Sequence, residues 1–183
     1  MRSRYSLRKT RRAYSLLEVV VASTAALVLM AASTVLFSGA GRAHLAAELR
    51  GQAGQRAALA MLSLSQDLRE AGDVLLPQTY QVRIYFPALS GGVYDRFHTD
   101  YTAYIEYVRA DGAGTANAEG AFLWKKDQTG AGRIVCRDLD SFTAAKLTTR
   151  DVRISLGVRK VSGTQQAMAT LNQRVTLMRN PPL

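Results

Sequence analysis

From Tyr14 to Phe37 the chain runs 24 residues with one charged side chain, Glu18. As helix, at ~1.5 Å per residue, that stretch measures roughly 36 Å, enough to cross a hydrocarbon core of about 30 Å. Ahead of it, Arg2, Arg4, Arg8, Lys9, Arg11 and Arg12 place six positive charges in the first thirteen residues, with no acidic residue among them. A carboxylate four residues into such a segment is costly to desolvate and calls for a function.

The apolar run is longer than the roughly 7–15 residues of a secretory signal core, and no small-x-small cleavage site follows within reach. A lipoprotein signal needs a cysteine just after the run, whereas the only cysteine is Cys136. An uncleaved anchor accounts for the basic leader through the positive-inside rule. It leaves the ordered string Ala13-Tyr14-Ser15-Leu16-Leu17-Glu18 without a reason.

That string resembles the processing and assembly signal of type IV prepilins and the related pseudopilins. In that family a basic leader ends in a small residue, usually Gly, followed by an aromatic and a Thr-Leu-Ile-Glu-Val-like run that opens a long apolar helix. Here Ala13 holds the small position, Tyr14 the aromatic, Ser15 the Thr position, Leu16 and Leu17 the aliphatic pair, and Glu18 the acidic position. The resemblance implies cleavage by a prepilin peptidase between Ala13 and Tyr14 and methylation of the new Tyr14 amine. Glu18 lies at i+4 from that amine, one turn along the same face, where the two charges partly neutralise each other. In the family the same carboxylate pairs with the amine of a neighbouring subunit and sets the stagger of assembly. The mutual satisfaction of two desolvated charges costs less than leaving either alone.

Composition bounds the remainder. The 183 residues leave room for an anchor and one modest domain, and a net charge of +10 overstates the basicity of that domain. Without residues 1–13 there are 18 basic and 14 acidic residues, a net of +4. One cysteine makes no intramolecular disulfide, and Cys136, within Ile134-Val135-Cys136, reads as a small buried hydrophobe.

After Phe37, the segment Ser38-Gly39-Ala40-Gly41 is expected to loosen the helix, since each Gly costs about 1 kcal/mol relative to Ala. A helical pattern resumes with Leu45, Leu49, Gln52, Leu59, Leu62 and Gln66 as the stripe, ending at Gly72 as a C′ stop. The reading is therefore a leader over 1–13, a membrane or filament-core helix over 14–37, an amphipathic continuation over 38–72, and a β-rich domain over 73–183. Val82, Ile84 and Phe86 alternate as one strand face, and Val152, Ile154, Leu156 and Val158 as another. Further strands are expected over Tyr101–Val108, Phe122–Trp124, Arg133–Arg137 and Leu171–Met178. Lys125-Lys126-Asp127 is read as a turn, with loops at Gly91-Gly92 and Asp111–Gly114. The fold class is α+β, a long N-terminal helix on an antiparallel sheet.

Two shorter stretches refine the resemblance. The helix end Asp67-Leu68-Arg69-Glu70-Ala71-Gly72 and the closing strand Leu171–Asn180 are similar to those of PilW-type minor pilins and J-type pseudopilins. Glu18 separates the chain from tip-type K pseudopilins, which lack that carboxylate. The function implied is a minor pilin or pseudopilin, placed in a bacterial inner membrane with the N-terminus cytoplasmic and the domain extracytoplasmic, then withdrawn into a filament. The implied partners are other pilin subunits, the prepilin peptidase, the assembly platform and membrane lipid. The alternatives are an uncleaved single-pass anchor carrying a binding domain, or a DNA-uptake subunit that touches DNA.

No catalytic constellation, metal-spaced Cys/His set or phosphate loop is recognisable. His44 falls in the long helix and His98 in a loop region. The chain reads as the substrate of a processing enzyme, not as an enzyme, and no cofactor is expected. Asp127, Asp138 and Asp140 are candidate calcium ligands without EF-hand spacing. For DNA the candidates are Arg133, Arg137, Lys146, Arg150, Arg153, Arg159, Lys160, Arg174 and Arg179, with Tyr101, Tyr104 and Tyr107 as stacking residues. A wet sheet face and packed tyrosines explain the same residues more simply.

Overall fold

The computed structural model describes residues 15–90 and 93–177. The leader, Tyr14, the Gly91-Gly92 loop and the segment from Met178 onward lie outside the described residues. Among the described residues the architecture is α+β: one helix, α1 (Leu16–Arg69), followed by eight strands. The chain divides into two compact units between His44 and Leu45, so the apolar part of α1 and the domain are taken in turn.

α1 continues without interruption through Ser38-Gly39-Ala40-Gly41, contrary to the expected loosening. Two glycines cost about 2 kcal/mol together, but no proline breaks the ladder. The Ser38 hydroxyl donates back to the Val35 carbonyl at 2.9 Å.

Within the domain, α1 buries Leu49, Ala53, Ala57, Ala60, Met61, Leu64, Ser65 and Leu68, spaced by three and four residues. Leu59 and Leu62, placed on the buried stripe by the sequence pattern, are instead 60% and 55% exposed. The true stripe is rich in alanine, which lets the helix lie close to the strands. A pattern weighted on leucine is drawn to the wrong face.

The strands form two antiparallel meanders. β1 (Asp73–Gln78), β2 (Gln81–Ser90), β3 (Val93–Ala110), β4 (Phe122–Asp127) and β5 (Gly132–Arg137) make a five-stranded sheet in chain order. β6 (Leu139–Lys146), β7 (Asp151–Ser162) and β8 (Gln165–Thr176) make a three-stranded sheet, also in chain order. Asp138, at φ 60°, turns the chain from one sheet to the next, and its carbonyl accepts the Arg159 N–H at 2.9 Å. Helix and both sheets share one core, in which Val82, Ile84, Tyr107, Leu123, Phe142, Val152, Ile154, Leu156 and Val158 are all essentially closed to solvent.

Three local expectations are corrected. Lys125, Lys126 and Asp127 belong to β4, held in register by Tyr107, Glu106 and Ile105 of β3, and the turn follows them. His98 lies in β3, an 18-residue strand, and not in a loop. Gly72 does not adopt the left-handed geometry of a helix C′ residue. It is needed because the chain passes close to β2: its N–H donates to the Tyr85 carbonyl at 2.8 Å. A Cβ there would stand 2.8 Å from Thr99 Oγ1 and 3.2 Å from the Pro87 nitrogen.

Candidate functional site

The first element to consider is the start of α1. Ser15 precedes the helix, and its hydroxyl accepts the Glu18 N–H at 3.2 Å, so Ser15 is the N-cap and Glu18 the N3 residue. Ser-x-x-Glu is the capping-box pattern, and an acidic group in the first turn is favoured by the helix dipole. Glu18 therefore suits the helix start by position, besides the assembly role implied by the resemblance. Ala13 and Tyr14, the expected processing and methylation positions, lie outside the described residues.

Along this part of α1 the side chains are exposed and apolar: Leu16 is 85% exposed, Val28 68% and Phe37 77%. The most apolar 18-residue window has a mean hydropathy of 2.2 and none of it is buried. Every hydroxyl that follows Ser15 in the segment is satisfied within the helix. Ser23 and Thr24 donate to Val20 and Val21, Ser33 and Thr34 to Leu29 and Met30, and Ser38 to Val35, all at 2.8–2.9 Å. In a medium without water an unmet hydroxyl costs free energy, and back-bonding to the preceding turn removes that cost. The segment is thus long enough, apolar enough and polar-satisfied enough to leave water. By length and composition it can be a membrane anchor or a signal sequence.

In the domain, sequence reasoning missed a polar network between the helix and the large sheet. The Tyr107 hydroxyl donates to Asp67 Oδ2 at 2.7 Å and lies 2.9 Å from the Ser63 hydroxyl. Lys125 Nζ reaches the same Asp67 oxygen at 2.6 Å and stands 5.7 Å from the Tyr107 ring centroid. Burial, and then the Asp67 carboxylate, push the Tyr107 hydroxyl far above the usual phenol value. This network fastens α1 to β3 and β4. The one available signal was the Ser63/Asp67 spacing, which puts both on one helix face.

The calcium candidates are engaged elsewhere. Asp127 caps its own turn through Thr129 and Ala131, Asp138 takes Arg56 and Lys160, and Asp140 takes Arg159. Among the described residues, no three His, Cys, Asp or Glu side chains are grouped as a metal site. Of the DNA candidates, Lys146, Arg159, Lys160 and Arg174 are ion-paired, Arg179 lies outside the described residues, and Tyr107 is closed to solvent. Tyr104 packs against Tyr85 at 5.7 Å, with the Arg83 guanidinium 5.1 Å from its ring centroid. His98 pairs with Asp95 at 2.6 Å. Cys136 is 3% exposed, and burial pushes its thiol up to about 11, in keeping with a packing role.

Comparison of the chain with protein-family models, with curated proteins and with solved structures finds no match.

Proposed function

We propose that the chain is a minor pilin or pseudopilin, made with a cleavable leader, held in a bacterial inner membrane by 14–37, and later drawn into a filament. The reading is carried by one observation: the string Ala13 to Glu18 opens an apolar helix that is unburied along its first part and forms domain core along its last. Lipid would cover the apolar side chains first, and apolar helices of neighbouring subunits afterwards. The exchange is close to neutral for hydrocarbon, so assembly needs a specific term. Glu18 paired with the Tyr14 amine of a neighbour supplies it.

Because Glu18 also holds the N3 position of a capping-box pattern, Glu18→Ala is ambiguous by itself. Gln retains the capping box but not the charge. Glu18→Gln in the native host is therefore expected to leave the protein stable in the membrane while sharply reducing its content in sheared filaments. Unchanged incorporation of the Gln variant would remove the assembly role. Retention of Met1–Ala13 in the membrane-bound protein would favour the competing reading, an uncleaved anchor presenting a binding domain.

A further inference from the structure

The three-stranded sheet leaves one edge open. Among the described residues β8 is paired only with β7, through twelve consecutive partners without a register shift. Alternate residues of an antiparallel edge strand turn both backbone groups away from the neighbour, so about six residues of β8 present them outward. Among the described residues, no backbone hydrogen bond from another element reaches that side.

The other sheet edges are blocked. β1 is six residues long, contains Pro77 and shifts register between Leu75 and Gln78, and Lys146 Nζ donates to its Val74 carbonyl at 3.2 Å. β5 is equally short and carries exposed Arg133 and Arg137. β6 is stitched to the large sheet: Leu139 and Ala144 donate their N–H groups to Ala121 and Thr79, both at 2.9 Å. Shortness, charge, proline and cover are the usual protections of a sheet edge. From Gln165 to Gln173, β8 has no charge, no proline and no bulge. Its core-side Ala169 and Leu171 are only half-buried, while their β7 partners Val158 and Leu156 are fully buried.

We infer that β8 is a dimerisation edge, pairing antiparallel with β8 of a second copy about a two-fold axis at Thr170. The strand is complementary to itself in that register. Met168 faces Asn172, Gln166 faces Arg174, and the half-buried Ala169 meets Leu171, so no like charges oppose each other and the core side is extended. The inference concerns the domain alone and holds whether or not the leader is cut.

The test uses the full chain in detergent under mild oxidation, with Met168→Cys, Thr170→Cys and Asn172→Cys. The expected result is a disulfide dimer of Thr170→Cys with itself and of Met168→Cys mixed with Asn172→Cys. The parent, with its buried Cys136, and Thr143→Cys, an exposed position of β6, should stay monomeric. A monomeric Thr170→Cys, equal cross-linking by Thr143→Cys, or larger aggregates in place of a dimer would overturn the proposal. Thr170→Lys, a solvent-exposed change that sets two ammonium groups opposite each other, should weaken association about tenfold or more in sedimentation. No weakening would equally count against it.

Discussion

At Asp67 a single carboxylate oxygen accepts both the Tyr107 hydroxyl and the Lys125 ammonium, so the two substitutions that break this group are unequal. Tyr107→Phe leaves the ion pair in place and should cost about 0.5–1.5 kcal/mol in chemical denaturation, whereas Asp67→Ala removes the carboxylate from both Tyr107, which keeps only Ser63, and Lys125, and should cost about 1–3 kcal/mol. Equal losses would mean that the Lys125 ion pair contributes nothing of its own. Asp151 makes a second prediction. Its carboxylate accepts Arg174 at 2.6 Å, Thr176 at 2.8 Å and Thr148 at 3.1 Å, which holds its pKa down to about 2. A depressed folded pKa gives stability that is complete above the ordinary value of about 4 and is lost as pH falls through the folded one. The Tm difference between wild type and Asp151→Asn should therefore be widest above about pH 4 and close near pH 2. A gap that does not change with pH would contradict the charge-based account. Single residues were legible where they act locally: Cys136, within an apolar run, declares itself by its neighbours and is buried. Asp67 and Tyr107 do not, because they lie 40 positions apart and meet only through the fold.

Among the elements, α1 and β7 were the most readable. Val152, Ile154, Leu156 and Val158 are buried and Arg153 and Arg159 exposed, as their alternation implies. β6 was missed because a register shift between Leu139 and Ser141 breaks its period: Leu139, Phe142 and Ala144 are buried, which is not an every-second-residue pattern. β8 was read too short, because Gln165 to Ala169 lacks β-branched and aromatic residues. A two-residue hairpin at Gly163-Thr164, with Gly163 at φ 58°, fixes its register from outside the strand. The helix glycines give the prediction at this scale. A Cβ at Gly51 would meet nothing, so Gly51→Ala should raise domain stability by about 1 kcal/mol, read as a higher denaturation midpoint. Gly72→Ala should lower it by about 1–3 kcal/mol through its clash with Thr99 and Pro87. If Gly51→Ala also destabilised, α1 would be packed there by something beyond its own subunit.

For the whole molecule, the α+β class and antiparallel pairing follow from hydrophobic period, while the division into two sheets does not. Nothing in the strand sequences marks where one sheet ends, and the corner rests on Asp138 in a left-handed conformation bracketed by Arg56 and Lys160. The exposed apolar segment from Leu16 to Phe37 is long and apolar enough to cross a membrane, and the proposed account has it leave lipid for a filament. That account turns on whether the leader is removed. The most direct measurement is the intact mass and N-terminal sequence of the protein isolated from its native membrane. The account predicts a chain beginning at Tyr14 with a methylated amine. A chain that retains Met1 to Ala13 in cells with an active prepilin peptidase would contradict it, leaving a membrane anchor with no assembly role for Glu18.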